Sequence, residues 1–114
     1  MADALGESPG GDPGLIVFSA EPPVVKVIEE WRTWLTHEKR TSLYTVDGYS
    51  RDLAAFFKFL TDHLGTPPSL SDLQNLKPVD FRSYLAGRAA RGLARTSTAR
   101  AMSTLRGFFR YLDR

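Results

Sequence analysis

Residues 42–64, "SLYTVDGYSRDLAAFFKFLTDHL", decide the fold. Val46, Tyr49, Leu53, Phe56, Phe57, Leu60 and Leu64 recur at steps of three and four, which places them on one side of an α-helix. Ser42 stands where an N-cap belongs, because its hydroxyl can accept a bond from a free first-turn N–H. Gly65, followed by Pro67 and Pro68, supplies the stop. Gly48 lies inside this helix, where it costs roughly 1 kcal/mol against Ala. It is tolerated there or it leaves room for a close approach.

The same period continues on both sides. Val24, Val27, Ile28, Trp31, Trp34 and Leu35 define a first helix over about 23–38, opened by Pro22 and Pro23. Lys39-Arg40-Thr41 forms a basic hinge. "SLSDLQNL" (69–76) predicts a short helix capped by Ser69 or Ser71. Pro78 opens a helix over about 78–91 with Val79, Phe81, Tyr84, Leu85, Ala86 and Ala89 inward, ended by Gly92. A last helix begins near Thr96-Ser97, with Met102, Leu105, Phe109 and Leu112 as its stripe and Ala101 and Phe108 widening it. No strand alternation of any length occurs. The expected fold class is all-α: a compact bundle of four main helices plus one short helix.

Upstream, "MADALGESPGGDPG" (1–14) is rich in Gly, Pro and acids and reads as a disordered tail. "LIVFSA" (15–20) is either a brief strand or an apolar strip laid on the domain. The expected division is a flexible acidic tail over 1–20 and a helical domain over 21–114.

Composition excludes several classes. There is no cysteine, hence no disulfide and no thiolate zinc site. No apolar run approaches about 18 residues, so no membrane association is expected, and the start lacks the basic and apolar regions of a signal peptide. Cytoplasm is the default. His37 and His63 belong to no metal spacing, Glu29 and Glu30 point apart on a helix, and no phosphate-cradling glycine loop occurs. No catalytic residues, metal or cofactor are expected.

Charge is uneven. The chain carries +2 overall, yet residues 1–23 hold four acids and no Lys or Arg. Residues 82–114 hold eight arginines against Asp113 alone. Such asymmetry points to an anionic partner or to a solvated Arg-rich surface. Ser42, Thr45, Gly48 and Arg51 share one side of the second helix. Thr96, Arg100 and Thr104 share one side of the last, with Arg91 and Arg95 in the turn before it. Hydroxyls and free N–H groups at helix starts contact phosphate, and arginines add charge and bidentate bonds. Thr96 and Ser97 could equally serve only as caps.

Two blocks then carry a resemblance. "VIEEWRTWLTHEKRTSLYTVDGYSRDLAAFFKFL" (27–60) is similar to the opening of Xer-type tyrosine recombinases, of the phage integrase family, whose Ser-x-x-Thr-x-x-x-Tyr-x-x-Asp-Leu pattern falls here on Ser42, Thr45, Tyr49, Asp52 and Leu53. "DFRSYLAGRAARGLARTSTARAMSTLRGFFRYL" (80–112) resembles the later half of the same region. The resemblance covers about residues 24–114 and implies a SAM-like core-binding domain, one half of a clamp around duplex DNA. It implies phosphate contacts at Ser42, Thr45, Arg51 and Arg91, with Arg95 as a further one. It also implies that Thr96 and Thr104 lie on the DNA face, that Gly48 permits close backbone approach, and that Arg100 reaches a base edge. The family's Arg–Lys–His/Arg–His set and its nucleophilic tyrosine lie in a second domain. No such set is identifiable here, so the chain is expected to lack the catalytic domain and to bind double-stranded DNA without cutting it. Tyr111 belongs to the core stripe and not to that chemistry. A second recombinase subunit is the implied partner in the full-length context, the fragment itself being a monomer.

Two readings compete: a helical protein-interaction module whose arginines meet an acidic partner, and the equivalent domain of a phage integrase. Arg100→Ala is the simplest discriminator: it should weaken DNA binding and leave the melting temperature unchanged.

Overall fold

The computed structural model describes residues 16–114. Among the described residues five helices follow in order: α1 Pro22–His37, α2 Leu43–Leu64, α3 Leu70–Gln74, α4 Pro78–Ala90 and α5 Arg95–Leu112. No strand occurs among the described residues.

The long α2 is the axis against which α1 and α5 pack. It forms where its sequence dictates. Ser42 is the N-cap and its Oγ accepts from the Thr45 N–H at 3.1 Å. Gly65 closes the helix with φ +86°, a left-handed conformation that suits a residue without a side chain. Phe56 and Phe57 are fully buried at its centre. Phe56 meets Phe81 and Tyr84 of α4 and Phe109 of α5 at ring separations of 5.1–6.3 Å. Trp31 of α1 packs edge-on against Phe108 of α5 at 5.3 Å. Burying large rings of this kind is the main stabilising term of a small helical domain.

The connections are equally local. The α1–α2 hinge turns through Arg40 at φ +53°, and Thr41 N–H returns to the Leu35 carbonyl at 2.9 Å. Arginine thus occupies a conformation that glycine would take at less cost. Ser69 and Asp72 close a reciprocal capping box on α3. At α4, Lys77 sits at the N-cap and has no acceptor to offer. Asp80 supplies the reverse half, accepting the Lys77 N–H at 2.7 Å and bonding His63 Nε2 of α2 at 2.9 Å. These bonds hold the Asp80 carboxyl below its ordinary value, the Lys77 backbone N–H first and His63 second. Past α4, Gly92 at φ +74° completes a left-handed stop, with Gly92 N–H to Ala89 and Leu93 N–H to Arg88.

Several expectations change. Residues 16–20 form no strand; they lie as an apolar strip on the domain, with Phe18 buried and Ser19 bonded to Thr61 of α2. Burial of Phe18 makes this strip part of the folded unit and not of the tail expected over 1–20. Residues 1–15 lie outside the described residues. Val79, Ala86 and Ala89 of α4 face solvent, Val79 at 52% exposure, and Leu64 at the end of α2 is also partly exposed. In place of the small residues, α4 buries Arg88 beside Tyr84.

Candidate nucleic-acid interface

The N-terminal half of α2 carries polar residues where its C-terminal half carries rings, and α5 crosses it there. The crossing leaves a cleft of about 380 Å³ lined by Tyr44, Thr45, Asp47, Gly48, Arg51 and Arg100. Four of the residues expected to act together therefore do meet: Thr45, Gly48, Arg51 and Arg100. Gly48 opens onto free space, with nothing within 4 Å of where a Cβ would stand. Internal packing gives no reason for glycine at this position.

The cleft's charges are matched within the protein. Arg51 Nε donates to Asp47 Oδ2 at 2.9 Å, an i,i+4 pair on α2. Arg100 Nε donates to Asp52 Oδ2 at 3.1 Å, and its Nη2 donates to Oδ1 at 2.9 Å. Asp52 is only 7% exposed, whereas the Arg100 side chain is 59% exposed. The two hydrogen bonds to Asp52, and then its charge, raise the Arg100 pKa above its ordinary value, so Arg100 stays a cation.

Thr104 ends up elsewhere than the sequence suggests. It is buried, and the single proton of its hydroxyl lies between Asp52 Oδ2 at 3.2 Å and the Arg100 carbonyl at 3.1 Å. The stripe Thr96–Arg100–Thr104 runs from exposed to buried because α5 descends into the core as it passes α2.

The start of α5 differs again. Its N-cap is Ala94, which offers no side-chain bond, so the first-turn N–H groups are left to outside acceptors. Thr96 is exposed and caps nothing. Ser97 and Thr98 instead accept from Arg88, at 3.0 Å through Nη2 and 2.9 Å through Nε. Arg91 and Arg95 are both exposed, and no carboxylate among the described residues pairs with either. Ser42 sits exposed at the start of α2, its hydroxyl engaged with Thr45.

Sequence reasoning passed over Asp52 and Arg88 as site-forming residues. A signal existed for each. Asp52 directly precedes Leu53 on the buried side of α2, where a carboxylate requires a cation. Arg88 lies four residues after the inward Tyr84, on the same face. No group of three or more His, Cys, Asp or Glu side chains among the described residues could hold a metal. No described helix is long and apolar enough to cross a membrane.

An all-helical module, with a polar cleft at one helix crossing and an uncapped, arginine-flanked helix start beside it, is the class that fold and site define. The chain belongs to the family described as phage integrase, N-terminal SAM-like domain, whose model matches residues 28–114. It is similar to the tyrosine recombinase XerC of Rhodospirillum centenum, at 42% identity over 105 residues, covering 92% of this chain and 30% of that protein. Tyrosine recombinase XerC of Rhizobium meliloti is 40% identical over 93% of this chain and 33% of its own length. The corresponding protein of Mesorhizobium japonicum is 38% identical over 86% and 31%. The chain thus spans about a third of the length of these relatives. No solved structure matches it.

Proposed function

We propose that this chain is the DNA-binding, N-terminal domain of a site-specific tyrosine recombinase of the XerC branch, and that the α2–α5 crossing lies against duplex DNA. The observation that carries this reading is the convergence of Thr45, Gly48, Arg51 and Arg100 on one cleft, beside an open helix start flanked by Arg91 and Arg95. Open first-turn N–H groups with adjacent cations suit a phosphate.

Roles divide by what each side chain already holds. Arg91, Arg95 and the start of α5 supply uncompensated positive charge for the phosphate backbone. Thr96, exposed in the first turn, adds a hydroxyl. Ser42 and Thr45 bring hydroxyls at the start of α2, and Arg51 reaches out from beside them. Gly48 lets a strand approach the α2 backbone. Arg100 is the side chain directed at a base edge. Thr104 makes no DNA contact in this reading and supports Arg100 from below.

The chain spans about a third of the relatives' length, and the role proposed for this third is to bind and position duplex DNA. A second recombinase subunit on the same site is the implied protein partner. A lone module of this size buries roughly 600–1,000 Å² on DNA and binds modestly.

The test is fluorescence anisotropy with a duplex of about 30 base pairs carrying a Xer-type recombination site, and a scrambled control, over a range of salt. Binding that falls with log salt at about 0.9 per phosphate neutralised supports the reading. No binding at low salt overturns it in favour of a protein-interaction module.

A further inference from the structure

Asp52 is a buried carboxylate on α2, and it grips Arg100 side-on. The Nε and Nη2 bonds occupy one edge of the guanidinium. Thr104 Oγ1 lies 3.2 Å from Asp52 Oδ2 and shares its proton with the Arg100 carbonyl, so Asp52 is the side chain through which α2 and α5 are tied at this point. Two consequences follow from the geometry. Nη1 and the outer hydrogen of Nη2 remain as a rigid fork on the exposed edge, in the arrangement that pairs with two acceptors at once. The positive charge, however, is already matched by Asp52, so Arg100 adds little net charge to the surface.

Resting on the DNA reading above, we propose that Asp52 is a positioning residue that makes Arg100 a reader of base identity and removes it from the set of phosphate counter-charges. Two aligned acceptors on one base edge, as guanine presents in the major groove, fit the free fork. The general affinity for the backbone comes instead from Arg91 and Arg95, which no described carboxylate neutralises. Loss of the grip therefore moves two observables in opposite directions. Asp52→Asn puts an amide N–H where a carboxylate oxygen received Arg100. It unlocks the fork and also releases a positive charge.

The experiment uses this chain with a pool of 30-base-pair duplexes randomised over the central positions. It reads sequence enrichment, and then the salt dependence of binding to one enriched and one unenriched duplex. The expected result for Asp52→Asn is that preference for the enriched duplex falls by about tenfold. Binding to the unenriched duplex becomes tighter and its salt slope steeper by up to about 0.9. A residue that only supports the fold cannot do this, because partial unfolding weakens both. Arg100→Lys keeps a cation beside Asp52 but lacks the planar fork, and it is the deciding variant if Asp52→Asn does not fold. It should lose the preference and retain the general affinity.

If Arg100→Lys keeps the preference, or weakens both duplexes equally, the proposal is wrong. It is equally wrong if the unsubstituted chain binds all duplexes alike with a steep salt dependence, an outcome that leaves the DNA reading intact. Absence of salt-sensitive duplex binding by the unsubstituted chain removes the DNA reading itself, and the proposal with it.

Discussion

Arg88 and Arg100 are bonded to side chains of other helices of the molecule, whereas Arg91 and Arg95 are not, although all four lie within thirteen residues. Arg88 is buried and ties α4 to the start of α5 through Ser97 and Thr98. Arg100 ties α5 to α2 through Asp52. Arg91 and Arg95 sit between them on the turn and the first residue of α5, exposed and without a described carboxylate. A run of positive charge in a sequence is thus two populations. One holds helices together and fixes the shape of a surface; the other charges that surface.

The sharpest way to break this division is Arg88→Ala. Removing a buried guanidinium leaves two hydroxyls without donors and a gap beside Tyr84. The expected cost is about 2–3 kcal/mol, or a fall in melting temperature of roughly 10–20 °C, read by thermal denaturation. Arg91→Ala and Arg95→Ala should leave the melting temperature unchanged and each lessen the salt slope of duplex binding by about 0.9. Equal melting temperatures for Arg88→Ala and Arg91→Ala would erase the distinction.

Arg100→Ala does not discriminate cleanly. It strands the buried Asp52 and should cost about 2 kcal/mol, less than a fully buried pair because Arg100 is half exposed. Gly48→Ala separates folding from binding more finely. Nothing crowds its Cβ, so the helix should gain about 1 kcal/mol, while any close approach of a DNA strand at this point weakens.

The smallest effect is one of pH. The folded Asp80 carboxyl lies below its ordinary value of 3.8, so its contribution is complete above that value and is lost as pH falls from there through the depressed folded value. Asp80→Asn should therefore flatten the acid limb of a stability–pH curve below pH 3.8 and leave neutral pH behaviour of the DNA surface alone.

Much of this was legible in the sequence, and the exceptions have a common cause. Ser42 and Gly65 mark the ends of α2 because a cap is a local event, decided within one turn. The last helix begins at Arg95, one residue from where Thr96 and Ser97 place it, but its lack of a side-chain cap is not legible from those two hydroxyls. The hydroxyls of Ser97 and Thr98 are claimed by Arg88 from another helix, which no local rule sees. The exposure of Val79, Ala86 and Ala89 is not legible in the sequence of α4, because a helix of small and charged residues has little contrast between its sides. Spacing placed Thr96, Arg100 and Thr104 on one face correctly, but a face does not keep one depth along a helix that descends into a core. Thr104 is buried for that reason, and Asp52 waited for a partner forty-eight residues away.

The central claim is that duplex DNA lies on the α2–α5 crossing. Backbone amide shifts of the isotopically labelled chain, followed by NMR as a 30-base-pair duplex is added, test it most directly. The account predicts salt-sensitive shifts concentrated at residues 42–51 and 91–100. Shifts centred instead on the apolar groove around Val27, Leu70, Leu73 and Leu112, with residues 42–51 and 91–100 unmoved, would contradict it.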